Sequence, residues 1–283
     1  MTPQHPTMID AADKLTADQS AAVDSWWFTA RLHTDDTVLW AKIHTLVMPD
    51  TCHSTVSLLQ EPDGHGSQKQ ATESLDEVTL PIGSLDARTS ILTITGDLDT
   101  IEIAGTTDTA SLQLTLHRKE PVLYNGGSGV FPLLGGSNAQ YALPGLTTSG
   151  TLTTDGTTRH VSGRTWFDRQ WGTLGSGQPT RATWLGIDLG AGRYLSVWDT
   201  TQDGTAWLTE LKPDGTHTLT HAQRTVVDDG TWTLTVPSLD ASLDITHRPL
   251  PDSHDGLYAG VCTVTGTLDG HDITGHGYTD ILG

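Results

Sequence analysis

From Trp26 onward, apolar and β-branched residues alternate with polar ones at a period of two, and Asp-Gly pairs interrupt the runs. Leu112, Leu114 and Leu116 fall on one face of such a run, with Ser111, Gln113 and Thr115 on the other. Trp232, Leu234 and Val236 repeat the pattern against Thr231, Thr233 and Thr235. Successive strand residues point to opposite faces, so this alternation describes half-buried antiparallel strands. Asp-Gly pairs at 63–64, 155–156, 203–204, 214–215, 229–230, 255–256 and 269–270 supply the backbone freedom of tight turns. The pattern predicts an all-β antiparallel protein, sandwich or barrel, with more strands than one small barrel holds and hence two β modules.

Two stretches break the pattern. Residues Ile9 to Val23 carry the one helix candidate of any length, short and weakly amphipathic. Pro121 to Leu146 holds Gly126-Gly127, Gly129, Pro132, Gly135-Gly136 and Pro144-Gly145 without sustained alternation, which predicts a long loop. A loop of that length acts as a linker or covers a site, and here it precedes the strand with the densest chemistry.

The chain of 283 residues has 34 Asp and Glu against 15 Lys and Arg, a formal charge of −19. Phosphate repels such a surface, so nucleic acid and anionic membranes are excluded as expected partners. The first twenty residues lack a basic segment followed by an apolar one, and no apolar run reaches the roughly 18 residues of a membrane helix. A soluble, cytoplasmic protein without membrane insertion is expected. Cys52 and Cys262 match no metal or redox spacing and read as two buried or half-buried thiols. Motifs for a nucleophile elbow, a zinc helix or a phosphate loop are missing, and no cofactor or metal is expected. His217 with His221 and His271 with His276 read as solvated sheet histidines, and Arg31 and Lys42 as outward-facing charges.

The chemistry concentrates in Gly163-Arg-Thr-Trp-Phe-Asp-Arg-Gln-Trp-Gly172. If this run is a strand, Trp166, Asp168 and Gln170 share one face, and Thr165, Phe167, Arg169 and Trp171 the other. An acid between an indole and an amide suits an apolar pocket that needs a proton donor. It also suits a structural corner in which Asp168 caps a turn or pairs with Arg164 or Arg169.

This motif resembles the core of the lipocalin-like proteins grouped with carotenoid 1,2-hydratases and AttH-type proteins. Asp24-Ser-Trp-Trp-Phe28 resembles the family's first strand, and Tyr141-Ala-Leu-Pro144 the segment before its central strand. Tyr258-Ala-Gly260 and Gly275-His-Gly-Tyr278 resemble its closing strands, with Asp280 where a Glu is usual. The resemblance implies two lipocalin-like antiparallel β-barrel domains, placed at 20–155 and 156–283, with a cavity at or near their interface. It also implies either cyclases that fold polyketide-derived polyenes for Diels–Alder-type ring closure, or hydratases acting on isoprenoid double bonds.

Asp168, Gln170 and Tyr141 are then the expected catalytic donors, and Trp166, Trp26, Trp27, Trp184 and Trp171 the expected substrate walls. Trp26 and Trp27 alternate, so one of them faces a core. The expected ligand is a hydrophobic polyene small molecule. A cyclase is the favoured expectation, a hydratase with Asp168 as acid the second, and a non-catalytic carrier of a hydrophobic ligand the third. Exposed edge strands leave room for a homodimer.

Overall fold

A computed structural model describes residues 8–282 except 19, 35, 134, 174, 176–180, 201–203, 229 and 255–256. Twelve strands form a first sheet: β1 (Val23–His33), β2 (Val38–Val47), β3 (Thr51–Glu61), β4 (Gly66–Ser74), β5 (Leu85–Arg88), β6 (Leu92–Gly96), β7 (Thr100–Thr106), β8 (Ala110–His117), β9 (Leu123–Tyr124), β10 (Val130–Leu133), β11 (Gly136–Thr154) and β12 (Thr157–Gly172). Eight more close a barrel: β13 (Ala182–Asp188), β14 (Tyr194–Asp199), β15 (Thr205–Leu211), β16 (His217–Asp228), β17 (Thr231–Val236), β18 (Ala241–Pro249), β19 (Leu257–Leu268) and β20 (His271–Leu282).

The all-β, two-unit lipocalin-like architecture holds, with a difference between the units. The barrel closes in simple chain order, β13 through β20. The first sheet runs β4-β3-β2-β1-β12-β11-β8-β7-β6-β5, so β12 lies at its centre and its ends are the edge strands β4 and β5. Asp155-Gly156 is the turn of the β11–β12 hairpin, where Thr154 pairs with Thr157. The division expected at 155/156 therefore falls inside one hairpin, and the sheets part between Gly172 and Ala182. Of the predicted turn residues, Asp203, Asp229, Asp255 and Gly256 lie outside the described residues.

Three apolar clusters follow from strand alternation. Phe28, Ile43, Val56, Ile94, Leu114 and Phe167 fill the inner face of the first sheet, with Phe28 and Phe167 paired in register and stacked at 4.3 Å. Leu185, Val197, Leu208, Leu234, Leu243 and Val264 fill the barrel. A third cluster, including Trp40, Trp166, Trp184, Tyr194, Trp198 and Tyr278, joins the two units. Strands β1, β2 and β12 thus bury both faces, one against their own core and one against the barrel. Cys52 and Cys262 are buried free thiols, as expected.

Both exceptions to the alternation fold differently from expectation. In place of a helix over Ile9–Val23 there is one 3-10 turn, Asp13–Leu15. The carbonyls a helix would use are taken by side chains of the sheet. Tyr141 Oη donates to Ala11, Trp26 Nε1 to Leu15, and Arg169 to Lys14 and Thr16. This strap drives Ala11 and Leu15 into the core of the first sheet. The expected loop over Pro121–Leu146 is largely strand, since β9 and β10 both pair with β11. Pro132 fits because β10 pairs on one side alone, and Pro144-Gly145 forms a register shift in β11. Gly145 has φ +65, and a Cβ there would lie 1.9 Å from Tyr194 Oη, so the bulge sits close against the barrel.

Candidate active site

The motif strand β12 alternates as predicted. Phe167, Arg169 and Trp171 enter the inner core, while Trp166, Asp168 and Gln170 face the barrel. Pairing in register extends the second set sideways. Ser25 on β1 and Gln140 on β11 flank Gln170, and Trp27 flanks Asp168. The barrel answers with one row of its own, in which Trp198 on β14 and Asp280 on β20 flank Trp184 on β13. Those eight residues other than Trp166 enclose a cavity between sheet and barrel of about 30 Å³. That is room for about two water molecules.

Its walls are indole. Trp184 meets Trp27 at 6.1 Å, Trp166 at 5.9 Å and Trp198 at 6.4 Å between ring centroids. Trp184 Nε1 donates to Ser196 Oγ at 3.0 Å, which fixes the ring against the cavity. Gly186 lies behind it: a Cβ at Gly186 would come within 2.7 Å of the Trp184 ring and 3.1 Å of Trp166.

Asp168 neither caps a turn nor pairs with Arg164 or Arg169. Its Oδ2 accepts from Trp166 Nε1 at 3.0 Å. The carboxyl is buried, and burial pushes its pKa up to about 8, with hydrogen bonds from Trp166 and Gln140 opposing the rise. Asp280, half-buried at the opposite wall, is pushed up to about 7 by desolvation, against which Lys42 acts. The Oδ1 atoms of both carboxyls, Gln140 Oε1, Trp27 Nε1 and Trp198 Nε1 have no hydrogen-bond partner among the described residues. Buried polar atoms are nearly always paired, and the gathering of five unpaired ones around one small cavity makes it the candidate binding site.

Next to this wall, Ser25 Oγ lies 2.9 Å from His44 Nε2. Burial takes the His44 pKa down to about 3, which leaves the imidazole neutral, tilted against Trp27 at 5.0 Å.

Asp168, Gln170, Trp27, Trp184 and, through its bond to Asp168, Trp166 are thus assembled at one place. Three expected site residues lie elsewhere. Tyr141 is fully buried on the other face of the sheet, where its hydroxyl serves Ala11. Trp26 and Trp171 sandwich the Arg169 guanidinium at 4.2 and 4.8 Å in the same inner core. All three have the parity of Arg169 rather than of Asp168 in the paired strands, as the register of Trp26 and Tyr141 with Arg169 shows. Lys42 corrects the expectation of an outward charge. It is 2 % exposed, and its Nζ lies 2.6 Å from Asp252 Oδ2 and 4.6 Å from the centre of the Trp27 ring. Arg31, half-buried, lies over Trp40 at 5.5 Å. Sequence reasoning passed over Ser25, Gln140, Trp198 and Asp280 as site residues. The alternation of Ser25 with Trp26 was the available signal for the first, and strand pairing alone brings in the others.

Comparison with known proteins gives the family and the fold. The model of the AttH-like family matches residues 50–283. Dehydratase asqC of Emericella nidulans is 27% identical over 215 residues, which cover 65% of this chain and 61% of that protein, so the chain spans less than two thirds of this relative. The fold matches kievitone hydratase from Nectria haematococca with a TM-score of 0.81 at 19% identity, covering 99% of this chain and 96% of that one. It matches an AttH protein from Nitrosomonas europaea with a TM-score of 0.76 at 17% identity, covering 100% and 99%. The family match covers the sheet from β3 onward and the whole barrel, and the chain belongs to the AttH-like family.

Proposed function

We propose that the protein is a hydro-lyase that adds water to, or removes it from, a carbon–carbon double bond in an apolar, unsaturated small molecule. One observation carries the reading: two carboxyls of raised pKa, Asp168 and Asp280, line one indole-walled cavity with room for little more than water. Two carboxyls that face one cavity can divide the acid and base roles between them. Asp168 has no cation beside it among the described residues and is the proton donor. Asp280, at the opposite wall and with the lower pKa, is the acceptor.

In the hydration direction Asp168 gives its proton to one alkene carbon. The π pair forms that C–H bond, and positive charge is left on the other carbon. Water then attacks that carbon, forms the C–O bond and releases a proton to the Asp280 carboxylate. Elimination runs the same steps backward. Faces of Trp27, Trp184 and Trp198 stabilise the cation, since the negative face of an indole attracts positive charge. The dehydratase name of the Emericella nidulans relative and the hydratase name of the Nectria haematococca fold neighbour support this class.

The cyclase expected from the motif ranks behind this reading. Sites that enclose a whole small molecule measure about 300–1,000 Å³, against about 30 Å³ here. A cavity of that size suits the reacting end of a substrate and its water. The test is incubation with a panel of prenylated and tertiary-alcohol aromatic compounds in heavy-oxygen water. Label entering a product, and lost with Asp168→Asn, supports the assignment. Isomerised product without label overturns it.

A further inference from the structure

Besides Asp168 Oδ1, four buried polar atoms on cavity-lining side chains have no hydrogen-bond partner among the described residues: Trp27 Nε1, Trp198 Nε1, Gln140 Oε1 and Asp280 Oδ1. Their side chains come from four strands set around one axis. On the sheet, Trp27 on β1 and Gln140 on β11 stand on either side of β12, in register with Asp168 and Gln170. On the barrel, Trp198 on β14 and Asp280 on β20 stand on either side of β13, both in register with Trp184. An indole N–H can only donate, whereas an amide oxygen and a carboxyl oxygen accept. Each wall therefore offers one donor and one acceptor. Burial without a partner is costly for every one of these atoms, so they select an occupant by what it returns to them. It must accept two hydrogen bonds and donate two, from within a space of about 30 Å³. Water has two O–H bonds and two lone pairs and meets all four. A carbonyl or ether oxygen donates nothing, and an alcohol has one O–H to give.

We propose that Trp27, Trp198, Gln140 and Asp280 form the binding site of a single water molecule, the one that is added to or removed from the substrate. The inference rests on the hydro-lyase reading for the fate of that water and on the four unpaired atoms for its place. It brings Gln140 and Trp198 into the chemistry as groups that hold the reacting water. Asp168 Oδ1, the remaining unpaired atom, is left for the alkene carbon that takes the proton. An indole N–H lies in the plane of its ring, so a water held at the edges of Trp27 and Trp198 leaves their faces to the cation. When the water attacks, one of its lone pairs leaves an indole N–H and forms the C–O bond. The O–H aimed at Asp280 gives up its proton there, and the O–H held by Gln140 becomes the product hydroxyl.

Water itself is the probe, so the test needs no substrate. The full-length protein is prepared with nitrogen-15 tryptophan, and the indole signals are assigned with Trp26→Phe, Trp27→Phe and Trp198→Phe. Rotating-frame Overhauser transfer from water to each indole proton separates a bound water from proton exchange by its sign. Trp27 and Trp198 should both show the bound-water contact. Trp26, whose Nε1 donates to the Leu15 carbonyl at 2.8 Å in the inner core, should show none. Gln140→Leu removes one acceptor from the shared water and should abolish the contact at both indoles together. A contact missing at either indole of the parent protein overturns the proposal. So do contacts that survive Gln140→Leu, or that are lost at one indole and kept at the other. If Gln140→Leu does not fold, Asp280→Leu removes the second acceptor and is read in the same way. Label incorporated from heavy-oxygen water by a protein without the two contacts removes this water site and leaves the hydro-lyase. Contacts that are present and lost together in a protein that incorporates no label keep the water site and remove the hydro-lyase.

Discussion

Asp168 and Arg169, adjacent in the chain, occupy opposite faces of β12. Asp168 lines the cavity, whereas Arg169 is fully buried in the inner core in an ion pair with Asp24. The separation is chemically decisive. A guanidinium on the cavity side would favour the Asp168 carboxylate, because an opposite charge nearby stabilises the ionised form. Turned inward, Arg169 spends its donors on Asp24 and on carbonyls of the N-terminal strap. Asp168 is left with an indole and an amide, and it keeps its proton.

This division makes Arg169 structural. Asp24→Asn leaves a buried guanidinium without its counter-charge, a change that typically costs about 3–5 kcal/mol. Denaturant unfolding should show a loss of that size. Folded Asp24→Asn protein should keep its cavity chemistry, so activity per folded molecule stays near that of the parent.

Tyr141 gives the complementary case. Its hydroxyl donates to Ala11 in the inner core, away from the cavity. Tyr141→Phe should cost roughly 1 kcal/mol, the worth of one buried hydrogen bond, with turnover unchanged. A large loss of turnover at unchanged stability would return Tyr141 to the reaction.

Stability should depend on pH through Asp168. The folded pKa, about 8, exceeds that of an exposed aspartate. Between about pH 4 and pH 8 the folded state then binds more protons than the unfolded one, so stability falls as pH rises through that window. The total is on the order of a few kcal/mol. Asp168→Asn should remove the Asp168 share of this slope, leaving the share that Asp280 adds below about pH 7, and be the more stable protein at pH 8, as urea titrations across the window will show.

Gly186 guards the geometry of the indoles. Its replacement by Ala puts a methyl into the space that Trp184 and Trp166 occupy. The Trp184 ring must shift toward the cavity, and misplacement of about 1 Å can cost roughly a hundredfold in rate. Gly186→Ala should therefore lower turnover at least tenfold with a smaller effect on stability, alongside a changed tryptophan emission spectrum.

The sheet architecture was legible because a period of two survives in single strands such as Leu112–Leu116, and the faces of the motif strand were legible for the same reason. What escaped reading were relations between distant strands. Lys42 looks like a surface lysine because the carboxylate that permits its burial stands 210 positions away. Asp280 enters the site only through its register with Trp184 across β13 and β20. The Ile9–Val23 stretch has helix-compatible residues, yet side chains of Trp26, Tyr141 and Arg169 claim its carbonyls. Over Pro121–Leu146, glycines and prolines that read as loop sit at an edge strand and a bulge instead.

The central claim is that Asp168 is a neutral acid at neutral pH, and a carboxyl-carbon NMR titration of the intact protein tests it directly. With the Asp168 signal identified by its loss in Asp168→Asn, the midpoint is predicted at about 8. A midpoint near 4, that of an ordinary aspartate, would contradict the account.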